Sequence, residues 1–230
     1  MKKEKSAIFY CFSPLVMLTT FILEFLAAFF ILLTGKETKI NTIIILILLL
    51  LGAFQFAEYS ICESFGFNAD AWGRIGFISI ALLPPLGLHL AYAVAHKKAK
   101  WPVGLAYGTA LSWILLFLTN DIVQNQVCTE NYLIFNMKEN IGGAFFAYYY
   151  VWLLSGALAA FIFARQLKKG PQKLALYWFI AGYASFVIPA TAIWIFSASA
   201  ARGLPSIMCG FALVLAVILT LRVSPLAHKK

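Results

Sequence analysis

The chain has 230 residues, 62% of hydrophobic type and 12% charged, with a mean hydropathy of +0.86, against the near-half apolar share of a soluble domain. That excess excludes a water-soluble core, and no stretch between the apolar runs is long enough to bury a core of its own, so the expectation is one all-α membrane domain over 1–230. The net charge of +9 comes from lysines and arginines clustered in short breaks between apolar segments and not along one helical face, which argues against a nucleic-acid surface.

A helix that crosses a bilayer needs roughly 20 largely apolar residues, and seven stretches qualify: 10–33, 42–59, 74–95, 101–119, 141–164, 174–197 and 203–221. The prediction is a polytopic bundle of seven transmembrane helices. The first run follows Lys2-Lys3-Glu4-Lys5, a start that also fits a signal peptide. It is too long for one, is interrupted by Glu24 and lacks a small-residue cleavage site, so it reads as a span. The breaks carry turn and charge signals, among them Thr34-Gly35-Lys36, His96-Lys97-Lys98, Asn120-Asp121 and Lys168-Lys169-Gly170-Pro171. Only the connections 60–73 and 120–140 are long, and both are polar and acidic.

Lysine and arginine are retained on the cytoplasmic side. The side of the amino terminus holds six: Lys2, Lys3, Lys5, Arg74, Lys138 and Arg202. The other holds twelve: Lys36, Lys39, Lys97, Lys98, Lys100, Arg165, Lys168, Lys169, Lys173, Arg222, Lys229 and Lys230. The count predicts N-out/C-in, although the basic start alone would favour the reverse; the expected location is the cell inner (plasma) membrane, a bacterial inner membrane.

Ionisable groups inside spans are costly and are functional candidates by default. Glu24 lies in the first span, about 20 Å from its outer end at the usual rise per residue. His89, some 15 residues past Arg74, is expected at similar depth, so a Glu24–His89 pair follows if the two helices touch. The pair would serve as a site or simply as packing glue. Nearer the surface, Gln55, Glu58 and Tyr59 end the second span while Trp72 and Arg74 begin the third, which makes a Glu58–Arg74 salt bridge easy. The same residues form either a hairpin clamp or an outward-facing pocket with aromatic walls from Trp72, Trp152, Tyr148, Tyr149, Tyr150 and Trp194.

Cys62 and Cys128 both fall in the outer loops, where they are either two thiols or a disulfide tying the connections together; Cys11 and Cys209 read as packing residues. No Cys/His spacing suits a zinc site, and neither a metal nor a cofactor is called for. Pro84 and Pro85 in the third span and Pro189 in the sixth should kink their helices, as hinges or as static bends. No lysine lies between 174 and 221, which excludes a retinal Schiff base there, and no catalytic triad, phosphate loop or histidine triad is evident. The expectation is therefore not an enzyme.

The run Ala71-Trp72-Gly73-Arg74-Ile75-Gly76-Phe77, continued by Leu82-Leu83-Pro84-Pro85-Leu86-Gly87-Leu88-His89-Leu90-Ala91-Tyr92, resembles the third helix of the seven-helix amino-terminal sensor region of some bacterial histidine kinases. That helix opens with Trp-x-Arg and carries a mid-helix proline. Gln55 to Tyr59, and the tyrosine-rich fifth span with Ala164-Arg165-Gln166 and its basic turn, resemble the same family more weakly. The resemblance implies a sensor-like bundle, N-out and C-in, that binds a small or lipidic ligand. With no output domain before Lys230, the expectation is a stand-alone module that signals through a separate cytoplasmic partner. A small-solute transporter is the rival, since seven spans also describe carriers built as three helices, a linker and three helices, but Pro84-Pro85 and Pro189 do not correspond between halves. A structural membrane subunit, its Gly142-Gly143 and Gly156-to-Ala160 stretches packing closely, is the third reading.

Overall fold

The computed structural model describes residues 14–36, 38–98, 101–124, 126–128, 133–134, 136–138, 141–196 and 203–227. Cys11 therefore lies outside the described residues, and so does the side chain of Trp194. The helices are α1 (Pro14–Thr34), α2 (Lys39–Cys62), α3 (Ala69–Ala81), α4 (Leu83–Val94), α5 (Trp101–Thr119), α6 (Ile141–Gln166), α7 (Pro171–Phe196), α8 (Leu204–Ile218) and α9 (Ser224–Ala227). Counting α3 with α4, and α8 with α9, seven are long and apolar enough to cross a membrane. The chain is a multi-pass membrane protein built as an α-helical bundle.

Local chemistry sets the helix ends. Thr38 caps α2 by accepting from the Asn41 N–H at 3.4 Å, and Asn68 caps α3 by accepting from the Ala71 N–H at 2.8 Å. Those caps start the second and third spans earlier than hydropathy alone predicts. Arg74 consequently sits inside α3 and does not begin it. Inside the spans, hydroxyls that would otherwise lack a partner in lipid bond the carbonyl four residues back, as Thr20 does to Val16 and Thr220 to Ala216, both at 2.8 Å.

The third span is broken and not merely bent. Pro84 and Pro85 fall in the first turn of α4, where a missing N–H matters least, and Leu82 joins the two helices. Pro85 cannot bond the carbonyl of Ala81, four residues earlier; the Tyr148 hydroxyl of α6 donates to that carbonyl instead, at 2.6 Å. In contrast, α7 runs unbroken through Pro189. A π-helical turn, Leu219–Val223, separates α8 from α9 and extends the last span beyond its predicted end.

The more deeply buried spans are α2, α3 with α4, and α8 with α9, whereas α1, α5, α6 and α7 turn leucine and phenylalanine outward. Close approaches use small residues. A Cβ on Gly156 would meet the Leu88 backbone nitrogen at 3.2 Å, and Gly87 leaves room for the Tyr183 hydroxyl. An aromatic cluster of Phe77, Trp113, Phe117 and Phe145 joins α3, α5 and α6, with ring centroids 5.2–6.0 Å apart.

The 120–140 connection is not featureless. A short antiparallel ribbon, β1 (Val127–Cys128) with β2 (Leu133–Ile134), pairs Val127 with Ile134 and Cys128 with Leu133, and Val123 bridges Met137 beyond it. The Leu133 N–H donates to Ser206 Oγ at 3.4 Å, which seats the ribbon on the start of α8. The end of the bundle that carries the ribbon is called the disulfide end below, and the opposite end the lysine-rich end.

Tyr148→Phe removes the one described donor to the Ala81 carbonyl and should lower stability by about 1–3 kcal/mol, the usual penalty for an orphaned buried polar group. Thermal denaturation in detergent measures it, and an unchanged midpoint would mean that the break needs no donor from α6.

Candidate functional site

Three of the eight residues expected to bind a ligand come together. Glu24 on α1 faces α2 at Gly52, where a Cβ would lie 3.8 Å from Glu24 Cβ and 3.3 Å from Phe21. Gln55 and Glu58 follow on α2, one and two turns toward the disulfide end. All three polar side chains are buried, the two carboxyls at 0% exposure and Gln55 at 2%. Cys209 of α8 is buried as well.

These groups are not satisfied. Among the described residues, both oxygens of Glu24, both of Glu58 and Nε2 of Gln55 lack a partner in hydrogen-bond geometry. Ser206 stands beside Glu58, yet its hydroxyl does not meet the distance and angle of a hydrogen bond to the carboxylate. Among the described residues neither carboxyl has an ion-pair partner. Two small apolar gaps lie beside Cys209, one of about 20 Å³ lined in part by Leu51, Tyr149, Met208 and Cys209 and another of about 10 Å³ that shares Tyr149, Met208 and Cys209; none of Glu24, Gln55 and Glu58 lines either. Each admits a guest no larger than a water molecule.

The remaining expected residues go elsewhere. Arg74 forms its ion pair with Asp121, from the segment that follows α5, and not with Glu58. The ribbon connection folds back over α3: a Cβ on Gly73 would meet Val123 at 2.8 Å and Gln126 at 3.3 Å, so glycine is what lets the segment that carries Asp121 come this close. Trp72 donates its indole N–H to the Phe65 carbonyl at 2.7 Å and packs edge-on against Phe56, on which Tyr59 stacks. Trp72 and Tyr59 thus build an aromatic shoulder with Phe56 beside α1 and α2. Of the other expected aromatic walls, Trp152 donates to Thr109 at 2.9 Å, and Tyr150 points to Met208.

His89 does not meet Glu24. It lies toward the lysine-rich end, with Nδ1 3.3 Å from the Tyr107 hydroxyl of α5. Depth explains the difference. Counted from Arg74, His89 falls near mid-span, but α3 begins at Ala69, which places His89 about 30 Å along the broken span by the helical rise.

Cys62 and Cys128 are joined by a disulfide, Cα to Cα 5.4 Å, so the end of α2 is tied to the ribbon. That link fixes a cover over the Glu58 side of the bundle. Sequence reasoning missed Ser206, Asp121 and Tyr107 as partners; only Asp121 carried a signal, as part of a turn. Cys209 was read as packing, and it is buried and free. Groups of three or more His, Cys, Asp or Glu able to hold a metal are absent among the described residues. Comparison with protein-family models and with curated proteins finds no match.

The cover depends on the disulfide more than on the ion pair. Asp121 is 71% exposed, so Asp121→Asn should cost less than about 1 kcal/mol. Opening the 66-residue separation with Cys128→Ser should cost about 2–4 kcal/mol. Thermal midpoints of the two variants test the order, and a larger drop for Asp121→Asn would reverse it.

Proposed function

We propose that the protein is a seven-helix membrane sensor, receptor-like in design, whose ligand site is the buried group Glu24, Gln55 and Glu58. The observation that carries this reading is a pair of fully buried carboxyls with no ion-pair partner among the described residues. Carboxylates in apolar surroundings with no basic partner demand a counter-charge, which is a proton or a small cation. Glu58 lies four residues from the end of α2, so the guest enters from the disulfide end beneath the ribbon.

The uneven lysine and arginine count supports an outward disulfide end with the lysine-rich end in the cytoplasm. A signal then consists of the approach or separation of α1, α2 and α8 as the counter-charge binds, read by a partner on the cytoplasmic face. The resemblance of the Trp72-x-Arg74 run and its mid-span prolines to kinase sensor regions agrees with this assignment.

One observation favours a second reading. A discontinuous central span is a feature of secondary transporters, whose sites lie where helices break, and here the break at Leu82 falls in one of the more buried spans. The same carboxyls would then move a proton or cation across the membrane.

Purified protein should gain thermal stability with one small cation, or with protons, at constant ionic strength. The gain should reach about 2.7 kcal/mol at a hundred times the dissociation constant, and Glu24→Gln or Glu58→Gln should abolish it. Identical profiles for wild type and both variants across Na⁺, K⁺, choline and pH would reject the site. Ion counterflow in proteoliposomes separates the two readings: uptake that fails in Glu58→Gln assigns transport, and its absence alongside a binding shift assigns sensing.

A further inference from the structure

At the lysine-rich end a groove of about 410 Å³ opens sideways between the first turns of α2 and the body of α5. Both helices pack on α4, which forms the floor. The volume is in the range of small-molecule sites, about 300–1,000 Å³, and is far larger than the gaps beside Cys209. Its lining includes Lys39, Thr42 and Leu46 of α2, Leu86 and His89 of α4, and Tyr107 of α5.

The lining changes polarity along the helix axis. Lys39, Thr42 and Leu46 lie at i, i+3 and i+7, one face of α2, and Leu46 is about 10 Å deeper than Lys39 by the helical rise. Leu86 flanks the deeper part, while His89 and Tyr107, 3.3 Å apart, form a polar pair one turn nearer the lysine. Lys39 and Thr42 are exposed, Leu46 is 43% exposed, and among the described residues Lys39 has no ion-pair partner.

A groove in the side of a membrane-spanning helix faces lipid, so its occupant comes from the bilayer. The occupant must be anionic at the level of Lys39 and hydrocarbon at the level of Leu46 and Leu86. A soluble anion leaves the leucines without a role, and an apolar helix leaves Lys39 without a counter-charge. We infer that this groove binds one anionic phospholipid, its phosphate at Lys39 and Thr42, its ester region beside His89 and Tyr107, and an acyl chain along Leu46 and Leu86. Lys36, Lys97 and Lys98 border the same end and raise the local concentration of anionic lipid.

The full chain in nanodiscs of phosphatidylcholine and phosphatidylglycerol, released and weighed by native mass spectrometry, tests the site. Wild type should keep one phosphatidylglycerol in preference to phosphatidylcholine. Lys39→Gln should reduce that preference about fivefold, the effect of one basic residue near an anionic headgroup, and Lys97→Gln should leave it in place. Leu46→Trp, which narrows the groove from an exposed position, should reduce retention of both lipids; Thr42→Trp replaces it if the thermal midpoint shows that Leu46→Trp is unfolded. The inference fails if wild type shows no preference, or if Lys97→Gln acts as strongly as Lys39→Gln, which would indicate surface charge alone. It also fails if glycerol 3-phosphate displaces the lipid at comparable concentration, which would make the groove a soluble-phosphate site.

Discussion

In a hydrocarbon solvent each polar group must be satisfied from within the protein, and that constraint organises this bundle. Serine and threonine hydroxyls fold back onto their own helices, Ser224 bonds Asn41 to hold α9 against α2, and Tyr148 reaches across from α6 to the carbonyl that Pro85 cannot bond. The third span can break at its centre because another helix supplies the missing donor. Measured against that economy, the side chains of Glu24, Gln55 and Glu58, which hold buried atoms without a hydrogen-bond partner among the described residues, stand out in the membrane interior.

The two ends of the bundle solve different problems. At the disulfide end, a covalent link and a ribbon seated on Ser206 cover the acidic group, and Arg74 is held away from it by Asp121. An arginine turned toward Glu58 would have neutralised one of the two carboxyls and left only Glu24 to demand an external counter-charge. Its engagement with Asp121 thus preserves the vacancy of charge on which the proposed function rests. At the lysine-rich end the positive groups are exposed and unpaired with acids among the described residues, which suits a surface that meets headgroups.

The spans were legible because apolar runs of about 20 residues separated by charged turns have few other readings. Glu24 and Glu58 were legible as ionisable groups in those runs. Their pairing was not. Sequence gives depth along a helix only as well as it gives the helix start, and the Asn68 cap shifted the third span by five residues, carrying His89 from mid-span to the far end. Rotation about the helix axis is less accessible still: Gly52, whose missing side chain lets α1 approach α2, is what brings Glu24 toward Gln55 and Glu58. Arg74 found Asp121 because a segment read as a polar loop folds back as a ribbon, an outcome set by Gly73 and the disulfide together.

Both proposed sites draw on α2. Gln55 and Glu58 lie near one end of that helix, and Lys39, Thr42 and Leu46 near the other; between them α2 is unbroken and among the most buried elements. A rigid rod transmits a tilt or a shift from end to end without loss, whereas the broken α3 and α4 absorb it at Leu82. A movement of α2 on binding of the proposed counter-charge at Glu58 would therefore change the width of the groove beside α5. Linkage would then require the reverse, that a lipid held in the groove alter affinity at the acidic group by the same factor. The bundle needs no separate relay for this, since one helix forms a wall of both sites and packs directly on α1, α3, α4 and α8.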